Sequence, residues 1–449
     1  MESDDRRGSW VPLLSAAAAM LVLFAWLPAF GAPYQFDDFN TPAGDPASQS
    51  LSHWWELLSR TLRPLTKLTY ALESSVGAQS APARRALNTL LFGGCVVLLK
   101  SLLEAVAKLP ADLALLVASV WAVHPVHAET VVALAGRPVL LSLCLMLASA
   151  LLLLRARVGL ALVAAFLALL ARESALAWLV TCAVLAAEQR GVSGRRLGAA
   201  GILALGLGAL VLASSSGVRA LVGSTLSSAG AWNRLGLQWA ALTQGTLMLF
   251  TQPAAFTPDM EFEPAGLARA VLILTTLALY VAAVVLAVRH ARFRYFALLW
   301  LCLVIPTHSV VPKLDVLTAR PFSASLAPLL ALASCWAWPW LAKMQRGKSY
   351  AALVLVAAFL LLFPMTRSRA ALYRDPIALW RDASERTGRK VRPLVNLGTL
   401  LARKGELRAA ESALESALQR DPSSIDTRLR LNTVRRAIRL GIAPAERTN

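Results

Sequence analysis

The sequence lacks the short motifs that mark several common enzyme classes. It contains no glycine-rich phosphate loop, no HExxH and no GxSxG, which argues against nucleotide hydrolysis, zinc peptidase chemistry and serine hydrolase chemistry. Cysteine is also scarce, and the five cysteines lie inside apolar runs without metal-ligand spacing. They indicate small core residues rather than a disulfide framework or a zinc site.

Acidic residues are scarce too, with 26 Asp and Glu against 45 Lys and Arg. In a soluble protein the net charge of +19 would suggest a nucleic-acid partner. Here, however, 57% of the residues are hydrophobic, and they form long blocks separated by short basic clusters. This pattern predicts a polytopic membrane protein whose basic clusters set its orientation, with no nucleic-acid partner.

We predict an all-α membrane bundle of about eleven crossings, with the N-terminus in the cytoplasm and the C-terminus outside. The predicted crossings are residues 9–30, 87–104, 111–123, 138–154, a hairpin over 158–187 with Arg172 and Glu173 at its outer tip, 198–213, 266–288, 295–311, 321–342 and 350–364. Residues 235–251 are apolar enough to cross. A crossing there would put Arg289 and Arg292 outside, so we expect a re-entrant or interfacial segment.

Two further regions have a different character. Residues 51–76 mix apolar side chains at helical spacing with basic residues and the pair Trp54 and Trp55, which predicts interfacial helices on the periplasmic side. From Asp375 the chain is charged, and residues 391–424 match a tetratricopeptide repeat of 34 residues, with Gly405 at the turn. We therefore expect a membrane-embedded domain over residues 1–366 and a repeat tail over 367–449, which could bind a protein partner.

The candidate site begins at Asp37 and Asp38, just beyond the first apolar run. Adjacent side chains point in different directions, so only one carboxylate is expected to take a proton from a hydroxyl, and a plain acidic loop is the alternative. The predicted topology brings further charged or polar residues to the same outer face: His124, Glu129, Arg137, Arg172, Glu173, Lys313 and Arg320. Carboxylates could supply a base, and Arg or Lys could bind a phosphate, which suits transfer of a group from a lipid-linked phosphate to a hydroxyl.

Each of these residues has a structural alternative. His124 precedes Pro125 and could simply cap the following helix. Glu129 and Arg137 could be surface residues, and the functional interpretation is favoured only for Glu129. Arg63 precedes Pro64 and is expected mainly to fix a helix start, with binding of a lipid headgroup as the lesser role. No set of ligands with defined spacing marks a divalent metal, and no cofactor is certain.

Several segments together resemble one family. They are FDDFN at 36–40, RPLTKLTYAL at 63–72, HPVHAETVVALAGR at 124–137, ARESA at 171–175 and the repeat tail. In this order they resemble the transmembrane and tetratricopeptide-repeat O-mannosyltransferases and their bacterial relatives, which are GT-C glycosyltransferases. The resemblance extends over nearly the whole chain. It departs after Arg320, which is followed here by Pro321 and Phe322 where the family has tyrosines.

The resemblance implies an inverting transfer of a sugar, mannose by analogy, from a polyprenyl-phosphate donor to a hydroxyl of an acceptor protein or glycan. It implies a bacterial inner membrane location, contact with membrane lipids, a catalytic role for Asp37 or Asp38, and contact between Arg320 and the donor phosphate. The main alternative is an inactive membrane scaffold that recruits partners through its tail. A transporter is a weaker alternative, because no ion path or matched pair of broken helices is evident.

Overall fold

The computed structural model describes residues 10–192, 194–226, 230–310 and 315–441. Within these ranges the regular secondary structure is all helical, with no strand, which confirms the all-α part of the predicted fold class. In the first half the helices are α1 Trp10–Trp26, α2 Leu51–Glu56, α3 Pro64–Ser75, α4 Ala81–Val106, α5 Ala111–Ala122, α6 Ala128–Val131, α7 Arg137–Leu154, α8 Val158–Ala171, α9 Leu176–Gln189 and α10 Gly194–Ser214. In the second half they are α11 Ser216–Leu226, α12 Ala231–Thr251, α13 Gly266–Arg289, α14 Ala291–Ile305, α15 Ala319–Leu341, α16 Gly347–Leu372, α17 Pro376–Arg386, α18 Arg392–Arg403, α19 Leu407–Arg420 and α20 Ile425–Leu440.

Five helical segments of the described chain are long and apolar enough to cross a bilayer, and a bent pair would make a sixth. The five are Ala81–Val106, Leu134–Leu154, Gly266–Arg289, Ala319–Leu341 and Gly347–Leu372, and the bent pair is Ala111–Ala122 with Pro125–Val131. These segments are compatible with a membrane protein. Except for α10, which has 21 residues, the other predicted crossings fall on shorter helices, such as α8 and α9 with 14 residues each. At roughly 1.5 Å per residue, such helices are shorter than the roughly 30 Å hydrocarbon core.

Contacts between helices define two ends of the bundle. At one end Lys348, in the first turn of α16, pairs with Asp112 of α5 at 2.9 Å. Toward the other end the Thr366 hydroxyl of α16 donates a hydrogen bond to the Val123 carbonyl, just after α5. Helices α5 and α16 therefore run in the same direction.

The end that holds Lys348 is rich in positive charge, and we call it the basic end. Besides Lys348 it contains Arg155, Arg190 and Arg294, which lie at the ends of α7, α9 and α14. The amide of Gln189 donates to the Leu153 carbonyl at 3.1 Å, which joins the ends of α7 and α9. Arg294 pairs with Glu188 at 2.9 Å. The opposite end contains Asp37, Glu129 and Arg320, and we call it the site end.

Helix α12 contacts its neighbours near the site end. Gln238 donates to the Thr307 carbonyl, after α14. Thr243 contacts Thr276 in the first half of α13, with 2.8 Å between the hydroxyl oxygens. The carbonyl of Leu249 contacts His124 at 2.8 Å, beyond the end of α5. This helix is also not among the candidate spans.

The segment over 158–189 breaks where the sequence predicts, with Arg172 between α8 and the short 3-10 turn Glu173–Ala175. The segment over residues 51–76 forms α2 and α3, and the indole of Trp54 donates to the Pro64 carbonyl at 2.8 Å, which joins them. Trp55 is 71% exposed, as an interfacial aromatic side chain would be.

The C-terminal tail forms four helices, α17 to α20, around an apolar core of its own. The Asp375 carboxylate accepts the Ile377 N–H at 2.8 Å and Pro376 occupies the first turn, a favoured helix start. Gly405 has a φ of +87° at the turn between α18 and α19, where a residue without a Cβ is favoured. The predicted domain boundary at residue 366 falls inside α16, which continues to Leu372.

Candidate functional site

The acidic motif is a short 3-10 turn, Phe36–Phe39, between α1 and the interfacial helices. Its two carboxylates face different surroundings. Asp38 is 1% exposed, and its Oδ1 and Oδ2 accept the backbone N–H groups of Ala135 at 2.8 Å and Gln35 at 3.2 Å. Burial raises the pKa of Asp38 to about 6, against the opposing effect of these two N–H donors.

Asp37 faces the other way, and its side chain is 42% exposed. Its Oδ2 lies 3.1 Å from Nη1 of Arg320, in the first turn of α15. The same guanidinium lies 3.0 Å, through Nε, from Oε1 of Glu129. Arg320 therefore bridges carboxylates from two separate segments, and its own side chain is 22% exposed. Negative charge from the start of the chain and positive charge from its later part meet at the site end.

A second charged cluster joins the interfacial helices to the α8–α9 tip. Arg63 contacts Glu173 through two hydrogen bonds, 2.9 Å from Nε and 2.7 Å from Nη2, in the bidentate geometry that guanidinium and carboxylate groups favour. Burial opposes ionisation of Glu173, but the charge and hydrogen bonds of Arg63 lower the pKa of Glu173 to about 2. Arg63 also has a φ of +57° at the start of α3, so it fixes the helix start that the sequence predicts.

Arg172 lies beside this pair. Burial, together with the charge of Arg63, lowers the pKa of Arg172 to about 10. Within the described ranges Arg172 makes no ion pair shorter than 4 Å, whereas Arg63 and Arg320 each have a carboxylate partner. The electrostatic influence of Arg320 extends to both Arg63 and Arg172. The three arginines thus form one positively charged region, of which Arg172 is the member with spare donors.

Two of the predicted site residues have buried structural contacts instead. Arg137 is fully buried and binds Glu73 and Asn88, both at 2.8 Å, with its guanidinium over the ring of Tyr70. His124 caps the turn that follows it, because its Nδ1 accepts the Val126 N–H at 3.1 Å while its Nε2 contacts a backbone carbonyl. In the described part of the chain, neither residue takes part in the ion pairs of Arg320.

Lys313, another predicted phosphate ligand, lies outside the described residues. The structure also brings in side chains that the sequence did not single out for the site: Gln35, Phe36, Asp259, Trp380 and Arg392. Phe36 packs against Trp380 of α17 with 5.4 Å between ring centroids. Phe36 and Trp380 are more than 300 positions apart, and Asp259 and Arg392 are 133 positions apart, so no local pattern could indicate these contacts.

No group of three or more His, Cys, Asp or Glu side chains suited to a metal ion occurs in the part of the chain that the structure describes. Comparisons with protein-family models, with curated proteins and with solved structures found no match.

Proposed function

We propose that this chain is a membrane glycosyltransferase of the GT-C kind, resembling the O-mannosyltransferases with tetratricopeptide repeats. It transfers a sugar from a polyprenyl-phosphate donor to a hydroxyl of an acceptor protein or glycan. The observation that supports this most is the Asp37–Arg320–Glu129 bridge, because it joins a half-exposed carboxylate to a cation at one end of the bundle. A base beside a phosphate-binding cation is what such a transfer requires.

In this mechanism Asp37 is the base and Asp38 is a positioning residue. Asp37 is exposed and has a free approach to an acceptor, whereas both oxygens of Asp38 already accept backbone N–H groups. The acceptor oxygen attacks the anomeric carbon while Asp37 takes its proton, and the bond from that carbon to the phosphate oxygen breaks. The electron pair leaves with the polyprenyl phosphate, whose charge is stabilised by Arg320 and by the spare donors of Arg172.

The topology follows the charge distribution. The basic end lies in the cytoplasm and the site end outside, because Lys and Arg are retained on the cytoplasmic side. About eleven crossings are reached if the bent pair and α10 cross, and if α1, α8, α9 and α14 cross as short helices where the bilayer is thinned. The contacts of α12 near the site end support an interfacial or re-entrant position for it. The chain is then an inner-membrane protein with its tail outside.

The mechanism is tested with purified protein and radiolabelled polyprenyl-phosphate mannose. Asp37→Asn is expected to lower transfer by on the order of 10²–10⁴-fold, the usual contribution of a general base. Asp38→Asn is expected to lower it less, since that side chain does not meet the acceptor. Full activity of Asp37→Asn, or a greater loss in Asp38→Asn, would contradict the assignment. Lys404→Gln, at an exposed position of the tail where the side chain pairs only with Glu406 among the described residues, is the control.

A second candidate is a membrane scaffold without transferase activity. It is favoured by a groove of about 420 Å³ on the tail, between α18, α19 and α20, with an apolar floor at Leu414 and Val434 and arginines at its rim. The tail would then be a repeat unit that recruits a protein. A scaffold would neither bind nor consume the labelled donor, so the same assay separates the two functions.

A further inference from the structure

The C-terminal tail packs against the acidic motif and holds it in place. Phe36, immediately before Asp37, has a φ of +50°, a left-handed conformation that is unfavourable for a bulky aromatic residue and persists only where the surroundings hold it. Its ring packs on Trp380 at 5.4 Å between centroids, and the guanidinium carbon of Arg392 lies 5.7 Å from the ring centroid. Both contacts come from the tail.

Gln35, the residue before Phe36, also contacts the C-terminal part of the chain. The Gln35 amide donates to the carbonyl of Tyr373, at the end of α16. Gln35 and Phe36 are thus both fixed by residues beyond 370, while the carboxylate of Asp37 is held by Arg320. The position of Asp37 therefore depends on contacts made by its two preceding residues.

Arg392 is itself fixed by two loops of the membrane domain. Its Nε donates to Asp259 at 2.7 Å and its Nη2 to Asp315 at 2.8 Å. The Asp259 side chain is 2% exposed and also binds Lys390 at 2.6 Å. Asp315 lies five residues before Arg320 in the chain. Arg392 thus contacts both the residue before Asp37 and the segment that precedes Arg320.

We propose that Trp380 and Arg392 are positioning residues, which clamp Phe36 and so hold the Asp37 carboxylate against Arg320. The catalytic consequence rests on the proposed function, but the clamp itself does not. Without the clamp Phe36 relaxes to an ordinary backbone conformation, and Asp37 moves away from the guanidinium. A displacement of about 1 Å at a reacting group can cost on the order of 10²-fold in rate.

The clamp is tested by hydrogen–deuterium exchange of the full chain in detergent. In Trp380→Ala, amides of residues 34–40 are expected to exchange at least threefold faster, and Trp380→Phe should restore protection because it keeps an aromatic contact. Leu397→Ala is the matched control, since Leu397 belongs to the same tail core but is not among the ring partners of Phe36. Arg392→Ala provides a second variant outside that core, in case Trp380→Ala does not fold. Unchanged exchange at 34–40 in folded Trp380→Ala or Arg392→Ala, or equal acceleration in Leu397→Ala, would overturn the proposal.

Kinetics supply the second measurement. Trp380→Ala is expected to lower kcat about tenfold with little change in KM for the donor, because the tail contacts the acidic motif rather than the donor cations. Trp380→Phe should recover most of the rate. A rise in KM with unchanged kcat would instead place Trp380 in donor binding and refute a positioning role. If the wild-type protein transfers no sugar, the proposed function fails while the exchange measurements still decide whether the clamp exists.

Discussion

Asp37 and Asp38 are chemically identical neighbours, yet their surroundings give them different properties. Asp38 is removed from water and holds two backbone N–H groups, so its carboxylate organises the turn. Asp37 is half-exposed, and the guanidinium of Arg320 lies beside its carboxylate. Proteins give two carboxylates different roles by placing them in different environments of this kind.

The buried position of Asp38 predicts a pH-dependent stability. Its pKa is about 6 in the folded protein against an ordinary value of 3.8. Between these values the folded chain keeps a proton that the unfolded chain releases, so this carboxyl lowers stability as pH rises from about 4 to about 6. The full effect is on the order of 2–3 kcal/mol. Asp38→Asn removes it, and the melting temperature of the variant relative to wild type should therefore rise between pH 4 and pH 7. A difference that does not vary with pH would contradict this.

The Arg63–Glu173 pair predicts coupled stability effects. Arg63→Met leaves a half-buried carboxylate without its bidentate partner, and Glu173→Gln leaves Arg63 beside Arg172. Each single change should lower the melting temperature, and the double variant should recover part of the loss. Because the two side chains are 34% and 28% exposed, the coupling should be only about 1–2 kcal/mol. The exposed pair Lys404 and Glu406 is the control and should show no coupling, whereas additive losses at Arg63 and Glu173 would show that the pair is not energetically linked.

At this scale the sequence predicts individual residues better than their partners. Asp37, Glu129 and Arg320 can be chosen because the predicted topology brings them to the same outer face. That Arg320 bridges the other two cannot be read locally, since the three lie in segments about 90 and 190 residues apart. The predicted topology also places Arg137 at this face. In the structure Arg137 is buried and binds Glu73, which lies 64 residues away in the sequence.

At the scale of helices, the site depends on how closely α12 approaches α15. A Cβ atom on Gly245 would lie 2.1 Å from Cζ of Phe322, two residues after Arg320. Phe322 is fully buried and also packs on Phe256, with 5.7 Å between centroids. The absence of a side chain at Gly245 thus allows α12 to pack beside the first turn of α15.

Gly245→Ala is therefore expected to destabilise the protein by about 1–3 kcal/mol, the usual cost of overpacking. It should also lower transferase activity by displacing Arg320. Gly93→Ala is the matched control, because Gly93 lies in α4 and a Cβ atom there would have no neighbouring atom within 4 Å. A helical Ala at that open site should be neutral or slightly stabilising. Melting temperatures of the two variants provide the measurement, and equal behaviour of both would show that the α12–α15 contact is not close.

Sequence periodicity, together with charged residues, glycine and proline at helix ends, predicts the helices of this protein well. The break at Arg172, the turn at Gly405 and the start of α17 at Pro376 all occur where charge, glycine or proline indicate them. Length is predicted less well, because hydropathy marks where a helix is apolar and not whether it is long enough to cross. Helix α14 shows this: its 15 residues end at Ile305 and give way to a π-helical turn, Pro306–Val310.

For the whole molecule, ion pairs and ring contacts show which segments lie together at one end of the bundle. Lys390 pairs with Asp259, so the tail and the loop between α12 and α13 share a side. Phe36 packs on Trp380, which adds the acidic motif to that side. The basic end, where Lys348 pairs with Asp112, lies at the other end of α16. The orientation of the bundle therefore assigns the site, the tail and the α12–α13 loop to the same side.

This assignment predicts the outcome of alkaline phosphatase fusions, which are active only outside the cytoplasm. Fusions after Glu263 and after Asp375 should both be active, and a fusion after Met344 at the basic end should be inactive. The pair after Glu263 and Asp375 is the sharper test, because the ion pairs of Asp259 require the two points to agree whichever way the bundle is oriented. If both were inactive and Met344 active, the orientation would be reversed and the site would face the cytoplasm. If the two disagreed, one of the helices α13 to α16, which lie between the two fusion points, would cross differently from what these ion pairs require, and the tail and the α12–α13 loop would not share a side.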